Sequence, residues 1–177
     1  GGTGLLEKLD GPASLTLLSE AKARGCTVTF DLIAANSETA KIVAPLLPFI
    51  DYFMPSIEEA RAMSGQSTPA DCAQYYLDRG AQACVFTLGA DGAYFAHNDG
   101  TRFSSPAYDI DVVDTTGCGD AFDAGMIAAL HHAMDMETAV RFAQASAGLV
   151  ATGLGSDAGI KSFEHTLHCM KNWKVKS

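Results

Sequence analysis

The sequence predicts an α/β fold built on a doubly wound, mostly parallel sheet. Strand-like runs alternate with helix-like stretches along the chain, which is the pattern of repeated strand–helix units. The run Ala83–Leu88 is almost continuously apolar, as expected for a strand that is covered on both faces. At 177 residues the chain is long enough for about one domain, or for part of one.

The first half of the chain contains three predicted strands and four predicted helices. Apolar residues at spacings of three predict the first helix, and Gly25 ends it. Ser37 is a candidate N-cap for the second helix, Pro55 ends the second strand, and Gly80 closes the fourth helix. The predicted helices are 12–24, 37–47, 56–63 and 69–79, and the predicted strands are 26–31, 51–54 and 83–88.

The pattern changes in the second half. Two runs of alternating residues, 92–97 and 101–103, flank Asn98-Asp-Gly100, which predicts a β-hairpin with an Asp-Gly turn. Apolar residues at every fourth position predict a helix over 121–130. The remaining predicted segments are an extended stretch at 107–113 and helices at 136–151 and 161–172.

Composition argues against several classes of partner. The chain carries 12 Lys and Arg against 21 Asp and Glu, a net charge of −9, and such a surface repels phosphate backbones and anionic lipids. We therefore expect neither nucleic-acid nor membrane binding, and no apolar run approaches the ~18 residues of a membrane span. The five cysteines form no CxxC pair, which predicts neither a disulfide framework nor a zinc cluster. These unpaired cysteines make a reducing cytoplasm the expected location. The chain opens on Gly1-Gly2 with no basic and apolar leader, so we expect no signal peptide.

One segment has the pattern of a site for chemistry: Asp114-Thr-Thr-Gly-Cys-Gly-Asp120, with a predicted helix directly after it. Two glycines around a small residue let the backbone turn tightly with its N–H groups facing one concavity. The helix adds the positive end of its dipole, roughly +0.5 charge, at the same place. These features predict an anion site that needs no Lys or Arg. Asp120 at its rim is a candidate base for an attacking hydroxyl, and phosphoryl transfer requires that combination.

The Gly-x-Gly-Asp pattern also has a simpler interpretation, an ordinary strand-to-helix turn in which Asp120 is a helix N-terminal carboxylate. On the residues alone, both interpretations stay open. The chain contains no Gly-x4-Gly-Lys-Ser/Thr, which argues against a P-loop nucleotide site. It also lacks a Gly-x-Gly-x-x-Gly after a strand, which argues against a dinucleotide site.

The nine residues Asp114–Phe122 closely resemble the C-terminal signature of the ribokinase-like (PfkB) family of carbohydrate kinases. Thr87-Leu-Gly-Ala-Asp-Gly92 resembles the family's Thr-x-Gly-x-x-Gly nucleotide turn, and Met54–Ala60 resembles the segment that carries its Asn-x-x-Glu motif. The resemblance covers essentially the whole chain and implies a ribokinase-like, three-layer fold. It implies that residues 1–177 are the C-terminal part of a single kinase domain, whose N-terminal part, with the sugar-binding Gly-Gly motif and a small β lid, is absent. Gly1-Gly2 matches a mid-chain position of the family.

The resemblance assigns catalytic and nucleotide-binding roles to matching residues. Asp120 would be the catalytic base that activates the acceptor hydroxyl. The anion hole around the transferring phosphoryl group would be formed by Gly117, Cys118 and Gly119. The nucleotide site would be lined by Thr87, Gly89 and Gly92.

The resemblance also implies metal sites. Glu59 would help to hold the hydration shell of Mg²⁺. Many family members bind a monovalent cation beside the anion hole, and the resemblance leaves a need for K⁺ open. Its ligands would be the Asp114 carboxylate and the Thr116 carbonyl, with later carbonyls near Val150, Gly153 and Gly155.

Two residues depart from the family pattern. Ser56 occupies the position where the pattern has Asn, so one polar contact of the metal and phosphate network is shortened. Cys118 replaces the more usual Ala. Its thiol is either a reactive group whose pKa the helix N-terminus lowers, or a small space-filling side chain.

In functional terms the resemblance implies an ATP-dependent sugar kinase, with ATP, Mg²⁺ and a small-molecule sugar as its ligands. Two alternatives stay open: a nucleoside or vitamin-precursor kinase of the same superfamily, and a nucleotide-binding module without catalysis. A homodimer of the full-length protein is compatible with the same resemblance.

Overall fold

The computed structural model describes residues 8–33 and 35–176, which form two compact units. The first comprises the described residues up to Thr87 together with Tyr94–Phe103. The second comprises Leu88–Ala93 and the described residues from Ser104 on. Gly1 and Gly2 lie outside the described residues, so the match of this pair to a mid-chain position stays a prediction.

Seven α-helices and five strands make up the described part of the chain. The helices are α1 (Pro12–Ala23), α2 (Ser37–Val43), α3 (Ile57–Ser64), α4 (Pro69–Leu77), α5 (Cys118–His131), α6 (Met136–Ala151) and α7 (Phe163–Asn172). The strands are β1 (Thr29–Phe30), β2 (Tyr52–Phe53), β3 (Ala83–Thr87), β4 (Ala93–His97) and β5 (Arg102–Ser105). Short 3₁₀ helices cover Ala44–Phe49 and Gly89–Asp91.

The strands form one mixed sheet in the order β1-β2-β3-β4-β5. β1, β2 and β3 are parallel, with Thr29 opposite Tyr52 and Phe53 opposite Cys84. The connections from β3 to β4 and from β4 to β5 are too short for the crossover that a parallel pair needs, so both pairs are antiparallel. All strands except β4 therefore run in one direction, and the prediction of a mostly parallel α/β sheet is confirmed.

Two predicted elements were too long. The helix predicted over 37–47 ends at Val43, because prolines at positions 45 and 48 favour the tighter 3₁₀ turn that follows. Its N-cap is Asn36 rather than Ser37: the Asn36 side chain accepts from the amides of Glu38 and Thr39. Of the strand predicted over 26–31, only the two residues that face the equally short β2 are paired.

The core of the first unit lies where α3 and α4 cover the sheet. Phe53 of β2 packs edge-on against Tyr76 of α4, with 4.7 Å between ring centroids. Tyr76 is buried and donates its hydroxyl to the Ala60 carbonyl at 2.8 Å, so burial leaves no polar group of this side chain unpaired. Ala83–Phe86 of β3 are fully buried, as the apolar run predicted.

The second unit is built on the packing of α5 against α6. Phe122 and Met126 of α5 are buried, as are Val140 and Val150 of α6. The Lys-rich segment 174–176 is exposed but paired: Val175 forms an antiparallel bridge with Tyr108. The Asp109 amide donates to the Lys174 carbonyl at 2.8 Å, and the Lys176 amide donates to the Ala107 carbonyl at 2.8 Å.

In residues 8–33 and 35–176, no helix is both long enough and apolar enough to cross a membrane.

Candidate active site

A glycine-rich turn leads into α5 in the second unit. Gly117 is the N-cap residue and has a φ of 79°, a left-handed conformation that favours glycine. A Cβ on Gly117 would lie 2.6 Å from the Cα of Ser156, so the turn also packs directly on the loop that follows α6. The helix begins at Cys118, three residues earlier than the pattern predicted. The first amides of α5 therefore lie within the glycine-rich segment Gly117–Gly119.

The amides at the start of α5 are available to a ligand, apart from that of Cys118, which donates to the Thr115 carbonyl at 3.2 Å. The first N–H groups of an α-helix have no partner inside the helix, and no side chain among the described residues caps these. A Cβ on Gly119 would meet nothing within 4 Å in the described residues. Because the Cβ of a helical residue is tilted toward the helix N-terminus, the turn leaves room in front of its amides. The unpaired amides of α5, the positive end of its helix dipole and the open space in front of them together form a suitable site for an anion.

Asp114 ties down the start of this turn. One of its carboxylate oxygens accepts from the Thr116 amide at 3.0 Å and from the Thr116 hydroxyl at 2.9 Å, and the other accepts from the Gly155 amide at 3.3 Å. These donors, with the Thr116 amide first, hold the pKa of Asp114 below its ordinary value. Asp114 therefore accepts these hydrogen bonds in its ionised form.

Asp120 lies in the first turn of α5 and is exposed. No hydrogen bond or ion pair to another described residue engages its carboxylate. It is thus available to accept a proton from a ligand that approaches the helix N-terminus.

The surroundings of the Cys118 thiol favour a space-filling role over a reactive one. Its Sγ donates to the Ala147 carbonyl of α6 at 3.5 Å, and the side chain is half-buried. Burial, with the nearby Asp114 charge, raises the pKa of the thiol. The structure therefore favours the space-filling alternative over a helix-activated thiolate, which would need a lowered pKa.

The residues predicted to bind a monovalent cation are only partly brought together. Asp114, Thr116 and Gly155 are joined by the hydrogen bonds above. The Val150 carbonyl accepts from the Gly153 amide at 3.2 Å, in the turn that ends α6. Oxygen atoms are the ligands that such a cation prefers, and this segment supplies them from the loop after α6 and from the start of the anion turn.

The predicted nucleotide turn crosses from β3 to β4. In the second unit, the Leu88 amide donates to the Gly92 carbonyl at 2.8 Å, which closes the turn around Gly89. Gly92 has a φ of 100°, and a Cβ there would lie 2.0 Å from the Ser105 carbonyl oxygen. Only glycine fits this position, because the turn lies directly on another stretch of backbone.

Thr87, Ser56 and Glu59 are neighbours in the first unit. Thr87 is paired with Ser56 in an isolated parallel bridge. Ser56 is the N-cap of α3: its hydroxyl accepts from the Glu59 amide at 3.3 Å, and Glu59 accepts from the Ser56 amide at 3.1 Å. The other Glu59 oxygen accepts from the Ala35 amide at 3.4 Å. Ser56 therefore acts as the helix cap at the position where the family pattern has Asn.

No three His, Cys, Asp or Glu side chains of the described chain gather as metal ligands would. Asp109 and Asp111, on the extended stretch before the anion turn, line an open groove of about 570 Å³ with Trp173 and Thr152.

Sequence reasoning missed two residues that support these turns. Ser156 contacts Gly117, and no motif marks it. Gln144 is buried in α6 and is bonded to Ser105. A single amide inside the apolar pattern of α6 was the signal that could have drawn attention to Gln144.

The model of the pfkB family of carbohydrate kinases matches residues 2–162. The chain belongs to this family. Its curated relatives include 2-dehydro-3-deoxygluconokinase of Bacillus subtilis, 29% identical over 84% of the chain, and ribokinase of Haemophilus influenzae, 28% identical over 95% of the chain. Among solved structures, a candidate ribokinase II of E. coli in complex with ATP and Mg²⁺ superposes with a TM-score of 0.80, at 25% identity over 90% of the chain. The ribokinase-like fold is therefore confirmed.

The chain spans about half the length of these pfkB relatives. It covers 48% of the Bacillus protein, 56% of the Haemophilus protein and 53% of the E. coli chain.

Proposed function

We propose that residues 1–177 are the C-terminal, nucleotide-binding part of one ribokinase-like domain, and that the protein transfers the γ-phosphoryl group of ATP to a sugar hydroxyl. The observation that carries this proposal is the exposed Asp120 carboxylate in the same helical turn as the open Gly119 backbone. A base for the nucleophile and a group of amides for the developing charge are the two parts that phosphoryl transfer needs.

The proposed reaction has one proton transfer and one exchange of bonds. Asp120 accepts the proton of the sugar hydroxyl as its oxygen bonds to the γ-phosphorus. The bond from that phosphorus to the β–γ bridging oxygen breaks, and ADP leaves. The backbone of Gly117, Cys118 and Gly119 stabilises the negative charge that spreads over the transferred group.

Glu59 is assigned to the hydration shell of Mg²⁺. Three donors already engage its carboxylate, and a carboxylate has about four acceptor sites, so one remains for a metal-bound water. Mg²⁺ usually keeps several waters and binds mainly through phosphates, which fits a described chain without a cluster of protein ligands. When bound, the ion neutralises charge on the phosphate oxygens.

The nucleotide itself is assigned to the turn with Thr87, Gly89 and Gly92. K⁺ is assigned to the oxygen atoms beside Asp114, with ligands from Asp114, Thr116, Val150, Gly153 and Gly155. Backbone carbonyl oxygens are ligands that K⁺ takes in proteins, and the Asp114–Gly155 hydrogen bond supports the pairing of these two segments. A small sugar and ATP are the proposed partners, in the cytoplasm.

The test uses the chain, Asp120→Asn and a control, Asp109→Asn, which removes an exposed carboxylate outside the turn. ATP affinity is measured by calorimetry, and ADP formation is measured with a panel of sugars and nucleosides. We expect all three proteins to bind Mg·ATP alike, and any transfer to fall by about 10²–10⁴-fold only in Asp120→Asn. Transfer to nucleosides alone would favour the nucleoside kinase. Binding with no transfer by the wild type would support an isolated nucleotide-binding part, and a folded chain that binds no ATP would contradict the proposal.

A further inference from the structure

Gly92 rests on a short stretch of backbone that has its own support. A Cβ on Gly92 would lie 2.0 Å from the Ser105 oxygen, 2.8 Å from the Pro106 carbonyl carbon and 2.7 Å from the Ala107 nitrogen. The position of the turn over residues 88–92 is therefore set by residues 105–107, without any intervening side chain.

Gln144 fixes that stretch from the side of α6. Its Nε2 donates to the carbonyls of Ser105 and Pro106, at 3.1 and 3.2 Å, and its Oε1 accepts from the Ser105 hydroxyl at 2.6 Å. Gln144 is 8% exposed and Ser105 is 7% exposed. Both amide protons and the carbonyl of Gln144 are used, so this buried polar pair is fully satisfied.

The same face of α6 supports the anion turn. The Ala147 carbonyl accepts from the Cys118 thiol, and the Ala151 carbonyl accepts from the Val113 amide at 2.8 Å. Gln144, Ala147 and Ala151 follow one another at spacings of three and four, which places them on one side of the helix. One helix therefore holds the two glycine-rich turns at different points along its length.

We infer that Gln144 is a positioning residue for nucleotide binding, acting through Ser105 on the Gly92 turn, and this inference rests on the proposed function. Gln144 touches no reacting atom in this role. It sets the turn that lines the nucleotide, whereas the phosphate-binding amides of α5 depend on other contacts of α6.

The first arm of the test needs no nucleotide. Gln144→Met keeps the length of the side chain and removes all three hydrogen bonds, and Ser105→Ala removes one. We expect the hydrogen-exchange protection of the Leu88 amide, which is bonded to Gly92, to fall at least about tenfold in Gln144→Met and less in Ser105→Ala. The Ala121 amide, bonded to the Gly117 carbonyl at 2.9 Å, should keep its protection. Unchanged protection of Leu88, or an equal loss at both amides, would overturn the inference.

The second arm compares Mg·ATP with tripolyphosphate as ligands. Gln144→Met should weaken ATP binding at least about tenfold and leave tripolyphosphate binding within about twofold, because only ATP needs the turn. Gln74→Met, a change at an exposed glutamine of α4, should affect neither ligand. Equal weakening of both ligands, or ATP binding unchanged, would overturn the inference. A wild-type chain that binds tripolyphosphate but not ATP would overturn the proposed function, and the Leu88 amide would still show whether Gln144 holds the turn.

Discussion

The two glycine-rich turns of the second unit are anchored in different ways. The turn over residues 88–92 lies on the backbone of 105–107, which the buried Gln144 holds. The turn over residues 114–120 is tied by a partly exposed carboxylate, Asp114, and rests on Ser156 of a surface loop. The first turn is thus anchored in the core through the buried Gly92, although residues 89–91 are exposed, and the second turn is anchored on a surface loop. Substitutions in the first should therefore cost folding free energy, and substitutions in the second should cost ligand binding.

The largest effect is expected for Gly92→Ala. The new methyl group would overlap the Ser105 carbonyl, and neither backbone can move away without breaking the Gln144 contacts, so the free energy of unfolding should fall by about 3–5 kcal/mol. Denaturant unfolding measures this. Gly100→Ala is the matched control, because Gly100 has a φ of 98° with nothing near its Cβ position. Equal losses in the two variants would mean that backbone conformation alone, and not the contact with Ser105, explains the glycine.

Gly117→Ala should be less costly for stability. Its φ of 79° strains an alanine, but the Ser156 loop that it would strike is exposed and can shift, so we expect a loss of about 1–3 kcal/mol. The same unfolding experiment checks this value. A loss as large as that of Gly92→Ala would contradict the distinction between a core turn and a surface turn.

Gly119→Ala separates stability from binding within one turn. Alanine is the better helix former by up to about 1 kcal/mol, so stability should hold or rise. Its methyl group would point toward the helix N-terminus and crowd the anion site, and tripolyphosphate affinity should fall at least about tenfold. Calorimetry with Ala124→Ser, an exposed position later on α5, serves as the control. Unchanged tripolyphosphate affinity in Gly119→Ala would place the anion elsewhere.

Acid should destabilise α6, the helix that supports both glycine-rich turns. Asp135 caps α6, and donation from the Thr138 amide and hydroxyl holds the pKa of Asp135 below its ordinary value of 3.8. Because the folded pKa is the lower one, the cap stabilises fully above that ordinary value and is lost as the pH falls through the folded pKa. Melting curves of the wild type and Asp135→Asn, from about pH 5 to about pH 2.5, should converge on acidification. Curves that stay parallel would show that the charge of Asp135 does not support α6.

The smallest effect concerns the Cys118 thiol. With its pKa raised, it should react with iodoacetamide at least about tenfold more slowly than the exposed Cys26 at pH near 8. Mass mapping of a time course measures both rates in one sample. Faster modification of Cys118 would restore the thiolate interpretation.

Local patterns were sufficient to predict most of the fold. The continuous apolar run of β3 and the Asp-Gly hairpin were confirmed because their signals lie within a few residues. The short β1 was overestimated because its length depends on β2, a partner distant in sequence. Asn36 was missed as a cap for a different, local reason: it lies next to Ser37, and the two are equally good caps by residue type.

In the candidate site, too, residues in contiguous patterns were predicted and residues that depend on distant partners were not. Asp114, Gly117 and Asp120 were found because a glycine-rich turn before a helix is a contiguous pattern. Gln144 was missed because its function depends on Ser105, which lies 39 residues earlier. The role of the thiol stayed open between two alternatives because the sequence shows the helix dipole but not burial.

The central claim is that the start of α5 binds the phosphates of ATP. Amide NMR spectra recorded while Mg·ATP, and separately tripolyphosphate, is added to the chain test it most directly. We predict that the amide resonances of Gly117, Cys118, Gly119 and Asp120 shift with both ligands, and that those of residues 88–92 shift with ATP alone. If ATP binds and the resonances of Gly117–Asp120 stay where they are, the nucleotide lies elsewhere on the protein and the account is wrong.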